Sequence, residues 1–370
     1  MARVKALLRA LVSTLLAAGL AVSAAGCAPE SQASQLPVVR IGYFANITHA
    51  PAMIAREQKL FESALQGKAT VEYTVFSAGP SAIEAMRGRA VDVAYVGPNP
   101  AITGFIATDG TLLRIVSGAT SGGAKFVVRA GLAPAIESHP TRAELDRLRG
   151  GVFASPQLGG TQDVALRNYL RIKKIATDGS DGSAMVSPSD NATTLALFQK
   201  GQLDGAWVPE PWATRLVQEG GAKVFLDEAS LWRDGEFVTT NIVSSKPFLK
   251  AHADLVALLL TANNQAIDFL NVEANHAEAI RLVQRQLKAN TGKELAPTVI
   301  EAAWPSLKFS SSPHGDTLAA NFRAAVKVGH LLGYFSDDIR GIYDLRILNS
   351  LRRQGGLKPF SLPELVKPKE

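Results

Sequence analysis

A single cysteine, Cys27, is all the thiol in a chain of 370 residues, so no internal disulfide can form. The six histidines (His49, His139, His252, His276, His314, His330) are scattered, without metal-ligand spacing and without thiols to join them. Enzyme signatures are missing as well: no Gly-x-Ser-x-Gly elbow, no phosphate-binding P-loop, no Gly-x-Gly-x-x-Gly after a strand, no His-Glu-x-x-His. These gaps leave no catalytic residue to name, no cofactor or metal to expect, and a non-enzymatic reading. No basic stripe with interleaved aromatics is present, which argues against nucleic acid as a partner.

What is present begins with the setting of Cys27. A basic start (Arg3, Lys5, Arg9) precedes an apolar run, Leu11 to Val22, too short for a working membrane span. Ala24-Ala25-Gly26 then leads into the cysteine. We read residues 1–26 as a signal peptide ending in a lipobox-like site, with Cys27 acylated as the new N-terminus. Ala24 stands where a lipobox usually has Leu, so an ordinary secretory signal with an incidental Cys27 is the alternative. Residues 27–37 then form a lipid-anchored tether, small, polar and bounded by Pro37. The expected location is extracytoplasmic, on a membrane in the periplasm or at the cell surface. Processing there would remove Arg3, Lys5 and Arg9, three of the six net positive charges. The rest of the chain, in a sequence that is 46% hydrophobic, can bury a substantial core and is long enough for two domains.

A duplicated phrase organises that remainder. Gly88 to Pro100 (GRAVDVAYVGPNP) recurs as Gly201 to Trp212 (GQLDGAWVPEPW). Aligned on Asp92 and Asp204, both copies carry an Ala, an aromatic (Tyr95, Trp207) and a Val (Val96, Val208), and both follow a helix that ends in a basic residue and Gly. The unit reads as helix, glycine stop, aspartate, buried strand, loop. Used twice, it implies two similar α/β lobes with a cleft between them. Strands alternating with helices imply parallel-dominated sheets covered on both faces. Extended runs at Lys125–Arg129 and Phe237–Val243 read as two crossovers. The lobes are expected at 38–127 with 240–332, and at 128–239. Helices after Pro247 should pack back on lobe 1, and a basic, Pro/Gly-punctuated extension, 333–370, should come last with a loose end.

Ligands of such sheets bind at the carboxyl ends of the strands, where helix N-termini offer free N–H groups and a partial positive charge. Five loops match: Asn46-Ile47-Thr48-His49, Gly79-Pro80-Ser81, Gly97-Pro98-Asn99, Ser121-Gly122-Gly123 (after a strand expected at Leu112–Val116), and Gly159-Gly160-Thr161-Gln162. They supply hydroxyls, amides and glycines rather than fixed cations, which suits a small oxyanion. Each also reads as an ordinary helix cap, and His49 as a buried structural imidazole. Asp92 and Asp204 read as structural, Tyr95 and Trp207 as core. Glu210, between Pro209 and Pro211, reads as a carboxylate at the cleft mouth: suited to a ligand ammonium, a cation or an inter-lobe latch, or simply a loop acid.

With these residues in place, the chain resembles the solute-binding proteins of ABC importers in the nitrate, sulfonate, taurine and bicarbonate group, most of all the aliphatic sulfonate-binding lipoproteins. The resemblance runs from Val38 to Leu332. It rests on IGYFANITHAP (41–51), AGPSAIEA (78–85), YVGPNP (95–100), PQLGGTQDVALR (156–167) and WVPEPW (207–212). It implies a two-lobe periplasmic-binding-protein fold of type II with two crossovers, acting as a monomer with an ABC permease and its ATPase. The implied ligand is a small anion or zwitterion, an alkanesulfonate or taurine, with nitrate, bicarbonate or a small nitrogenous compound as alternatives. The ligand-binding residues would be Asn46, Thr48, His49, Gly79, Pro80, Ser81, Gly97, Asn99, Ser121, Gly160, Thr161, Gln162, Glu210 and Thr240; of these Asn46, Thr48, Ser81 and Asn99 would bind first, and Thr161, Gln162 and Glu210 would complete the site. The thiamin-pyrimidine synthases share this fold, but their cysteine-rich iron-binding segment is missing here. A ligand sensor that does not transport also fits the sequence.

Overall fold

Apolar strands bounded by glycine stops pair here into two sheets with one common plan. The computed structural model describes residues 36–334, 336–363 and 367. The expected signal peptide, Cys27 and nearly all of the tether lie outside the described residues. The described residues from Val38 onward form one unit. Its first part contains β1 (Val38–Phe44), α1 (Ala50–Glu57), α2 (Leu60–Ala64), β2 (Thr70–Phe76), α3 (Gly79–Arg87), β3 (Val93–Val96), α4 (Pro98–Ile106) and β4 (Leu113–Gly122). Then come β5 (Ala124–Val128), α5 (Arg142–Asp146), β6 (Val152–Ser155), α6 (Thr161–Ile172), β7 (Met185–Pro188), α7 (Asn191–Gln199), β8 (Gly205–Pro209), α8 (Trp212–Gly220) and β9 (Lys223–Asp227). The chain returns through β10 (Val238–Ser245), α9 (Lys246–Ala251), α10 (Ala253–Asn271), α11 (His276–Thr291), α12 (Pro297–Ala303), β11 (Leu307–Phe309), α13 (Gly315–Lys327) and α14 (Arg346–Gln354).

The first sheet has the order β11-β4-β10-β3-β1-β2, and the second β7-β6-β8-β5-β9. Leaving out the short β11, the two orders are the same: β2-β1-β3-β10-β4 against β7-β6-β8-β5-β9. In each, the fourth place is filled by a strand handed over from the other half of the chain. β10 runs antiparallel to both β3 and β4, and β5 to both β8 and β9. The remaining strands of that common plan therefore point one way within each sheet, as expected, with an antiparallel crossover strand inserted. The chain has the periplasmic-binding-protein architecture with two crossovers. At the β4–β5 junction Gly122 and Gly123 have φ of +80° and +77°, the left-handed region open to glycine. A Cβ on Gly123 would also stand 2.3 Å from Leu307 Cδ2.

The duplicated aspartates do the same work twice. Asp92 Oδ2 accepts from Arg40 N (2.9 Å) while Asp92 N donates to Arg40 O (2.9 Å). Asp204 Oδ2 accepts from Val152 N (2.8 Å) while Asp204 N donates to Val152 O (2.7 Å). Each aspartate thus ties the start of its own strand to the central strand beside it, β1 or β6. Alternation along β8 divides the second core. Trp207 packs on one face with Phe126, Phe153, Tyr169 and Phe225, while Ala206 and Val208 pack on the other with Leu195, Phe198 and Leu216.

One expectation needs correction. The loop expected after Val116, with Ser121-Gly122-Gly123 in it, is strand as far as Gly122: β4 continues to that residue, paired with β10 on one side and β11 on the other. Its small residues are needed because backbone approaches closely; a Cβ on Gly118 would meet Ser312 O at 1.9 Å. The extension expected from residue 333 packs on the body over much of its described part. Ile115 N donates to Ile342 O and Asp344 N to Ile115 O, Tyr343 is buried, and Tyr343 Oη donates to Pro313 O (2.6 Å). Leu348 of α14 is buried as well, and α14 packs on α10. The helices after β10 do return to the first half, α10 onto α1 and α2, and α11 onto α1. α12 and α13 also reach the second half, touching α8 and α6.

Candidate functional site

The strand-to-helix connections of both sheets meet at a cavity of about 40 Å³. Three helices, α3, α4 and α6, begin on its wall, and their N-cap residues are Ala78, Gly97 and Gly160. None of these supplies a side-chain acceptor to the first turn. Pro80, Pro98 and Pro100 have no N–H, so the first-turn donors are those of Gly79 and Ser81 in α3, Asn99 in α4, and Thr161, Gln162 and Asp163 in α6, at the positive end of each helix dipole. α7 begins on the same wall at Asn191, but there Asp190 caps conventionally, its side chain accepting from Thr193 N.

No side chain lining the cavity carries a full charge. The lining groups are hydroxyls (Thr48, Ser77, Thr161, Thr239), amides (Asn46, Gln157, Gln162, Asn191), His49, Phe44 and small or proline residues. Burial pushes His49 down to about 3, so its imidazole is neutral. Phe44 N donates to His49 Nδ1 (3.4 Å), which leaves the ring proton on Nε2. Asn46 Oδ1 accepts from Trp212 Nε1 (2.9 Å), leaving the Asn46 amide N–H groups as donors. Thr161 Oγ1, Asn191 Oδ1 and Gln157 Oε1 are buried without a hydrogen-bond partner, an arrangement that normally costs about 1–3 kcal/mol per group.

Of the residues expected at the site, Asn46, Thr48, His49, Gly79, Gly97, Gly160, Thr161 and Gln162 line this cavity. The others stand behind it. Ser81, in the first turn of α3, lies 3.5 Å from Gln157 Nε2, and Pro80 belongs to the same turn. Asn99 points away: its Nδ2 donates to Asn321 O (3.3 Å). Ser121 Oγ accepts from Phe237 N (3.0 Å) and Thr240 Oγ1 donates to Thr48 O (2.9 Å), so both hold crossover backbone in place. Glu210 is not at the cleft mouth. It is 0% exposed, with Lys125 Nζ 3.2 Å from Oε1 and Thr214 N donating to Oε2 (3.0 Å). Burial pushes its carboxyl up, against the pull of Lys125 and the Thr214 N–H. Ser77 and Asn191, outside the expected set, obey the same rule that found the rest, since each comes after a strand and before a helix. Thr239 lies inside a crossover strand, where no local pattern marks it.

The two halves are in contact around the cavity. Trp212 Nε1–Asn46 Oδ1 and Gln157 Nε2–Ser81 Oγ cross the seam, as does His330 Nε2–Asp163 Oδ2 at 2.8 Å. Asp163 is fully buried, which pushes its carboxyl up. Hydrogen bonds from His330, Gly159 N and Ser155, with Arg167 beside it, outweigh burial and hold it below the usual carboxylate range.

A sequence comparison supplies the family. Residues 32–284 match the NMT1-like family model. The chain belongs to the NMT1-like family. No curated protein sequence matches it. Solved structures similar to this NMT1-like chain share its fold at low identity. The alkanesulfonate-binding protein SsuA from Xanthomonas axonopodis pv. citri, bound to MOPS, has a TM-score of 0.61 at 22% identity, covering 80% of this chain and 94% of that one. The periplasmic nitrate-binding protein NrtA from Synechocystis PCC 6803 has a TM-score of 0.64 at 18% identity, covering 82% and 84%. A Candida albicans gene product described as having the generic periplasmic binding protein structural fold has a TM-score of 0.59 at 14% identity, covering 89% and 98%. The NMT1-like match ends inside α11, so α12, α13 and α14 lie beyond it.

Proposed function

We propose that this protein is the extracytoplasmic solute-binding component of an ABC importer, capturing a small oxyanion between its two halves by hinge closure. One observation carries the reading: three helix N-termini without side-chain caps converge with neutral donors on a cavity that has no charged side chain. An anion taken from water needs several hydrogen bonds to offset desolvation. Helix N–H groups and neutral donors supply them without a fixed cation that would slow release. The halves would be the lobes built on the two sheets, and the bonds across the seam would form on closure, so a ligand favours the closed state only through contacts it makes better there.

The favoured ligand is a sulfonate head on a short chain, an alkanesulfonate or taurine. The small cavity volume also supports a second reading, nitrate or bicarbonate. The partners would be the importer's permease and ATPase, and the protein would act as a monomer held to the membrane by lipid at Cys27. Titration calorimetry of the protein from Cys27 onward, against methanesulfonate, taurine, nitrate and bicarbonate, tests the ligand class. Saturable binding of one or more is expected, and no binding to any would overturn it. Cys27→Ser should leave the protein unacylated and free of the membrane fraction; acylation persisting in that variant would overturn the anchor.

A further inference from the structure

Another chamber of about 260 Å³ lies along the seam, walled by α6, β8 and the turn after β9 from the second half and by α13 from the first. Its floor holds Glu228, 2% exposed, whose Oε2 accepts from Trp207 Nε1 (2.7 Å). Trp232 Nε1 lies near the same carboxylate without reaching hydrogen-bond geometry. Among the described residues Glu228 forms no ion pair, and Asp227 beside it adds negative potential. Burial pushes the carboxyl up to about 7, as happens when a carboxylate leaves water without a cation.

Three wall residues are aromatic, Tyr169, Trp207 and Trp232, set among aliphatic and amide side chains. Tyr169 and Trp207 meet edge to face at 5.7 Å, and Trp232 is fixed by stacking on Phe237 at 5.8 Å. Tyr169 Oη is buried with no hydrogen-bond partner. The chain's own Lys173 brings its ammonium within 5.4 Å of the Tyr169 ring, so this wall already accepts a cation. That ammonium is on a flexible side chain and stands beyond ion-pair distance of Glu228. A buried carboxylate without an ion pair, with aromatic rings beside it, is the chemistry that recognises organic ammonium ions.

We propose that this chamber is a second ligand site, for a small organic ammonium ion with an apolar body, and that its occupant favours the closed arrangement of the halves. The wall from α13 is present only when the halves meet, so an occupant touching it has differential affinity for the closed state. That second clause rests on the hinge closure proposed above; the site itself does not.

The test titrates the protein with 2-phenylethylammonium, monitoring the fluorescence of Trp207 and Trp232, with 2-phenylethanol and 3-phenylpropionate as uncharged and anionic controls. Saturable binding of the ammonium is expected, at least tenfold weaker in Glu228→Gln and at least tenfold weaker for either control. Equal binding of the alcohol, unchanged affinity in Glu228→Gln, or no saturable response overturns the site. Should Glu228→Gln fail to fold, Lys173→Ala decides: removing the competing cation should tighten binding several-fold, and unchanged or weaker binding overturns the proposal. Small-angle scattering then reads closure. A smaller radius of gyration with bound ammonium is expected; binding without it removes the closure clause and leaves the site. If none of the four anions binds the cleft while the ammonium binds, the proposed transport ligand falls and this site stands.

Discussion

Gly97→Ala tests closure at its tightest point. Gly97 has φ −70° and ψ 165°, a conformation alanine adopts freely, so the first half should fold unchanged. The added Cβ would stand 2.3 Å from Thr161 Oγ1, 3.3 Å from Thr161 Cβ and 3.5 Å from Thr239 O. Non-bonded heavy atoms settle about 3.5 Å apart, so the halves must separate by about 1 Å or Thr161 must rotate. Rotation helps little, because two of the three positions on a threonine Cβ are heavy atoms and χ1 is stiff. Overpacking of this kind costs about 1–3 kcal/mol, and the cost is felt only when the halves meet. Ligand affinity should therefore fall about 5- to 150-fold, with the denaturation midpoint of the ligand-free protein unchanged. Calorimetry with whichever anion the wild type binds gives the first number, and urea unfolding the second. Adding Thr161→Ala removes the clashing oxygen, so Gly97→Ala should cost less in that background than in the wild type, a coupling a double-mutant cycle resolves. Wild-type affinity in Gly97→Ala would refute the closure argument.

The remaining predictions separate binding from architecture. Thr161→Ala should lower ligand affinity by about 1–3 kcal/mol while leaving ligand-free stability equal or slightly higher, because a buried hydroxyl without a partner is removed; lost stability at full affinity would make Thr161 structural. Asp204→Ala should do the reverse, lowering urea stability by about 1–3 kcal/mol through the Val152 N–H it leaves without an acceptor, with binding unaffected. Glu228 provides a pH signature. Its folded-state value of about 7 lies above the ordinary 4.5, so between those values the folded chain holds a proton that the unfolded chain has released. Stability should thus fall as pH rises through that window, by about 3 kcal/mol in all. Glu228→Gln should remove this fall in unfolding curves taken from pH 4 to 9, and parallel profiles for the two proteins would refute it.

Local pattern was enough for the repeated unit. A glycine stop, an aspartate and four or five apolar residues mark β3 and β8 wherever they occur, and both aspartates make the backbone bonds that such a position invites. The strand-to-helix loops were legible for the same reason, since a helix start depends on its own few residues. Asn46, Thr48, Gly97 and Thr161 could be named before the halves were brought together. What lay beyond the sequence depends on neighbours far along the chain. Ser117 to Gly122 reads as a loop by propensity, and becomes a buried strand only because β10 and β11 pair with it. Glu210 reads as a cleft carboxylate; the pairing of β5 beside β8 puts Lys125 next to it and buries the carboxylate behind the site. Asn99 sits in the expected loop, yet the first turn of α4 directs its amide to α13. The sequence by itself determined the doubled α/β unit and the neutral, donor-rich character of the loops, because both arise from interactions within a few residues. Tertiary structure decided which polar groups face the cavity and which are bonded away from it. That choice depends on strand pairing and helix packing across a hundred residues or more, where local composition carries no direction.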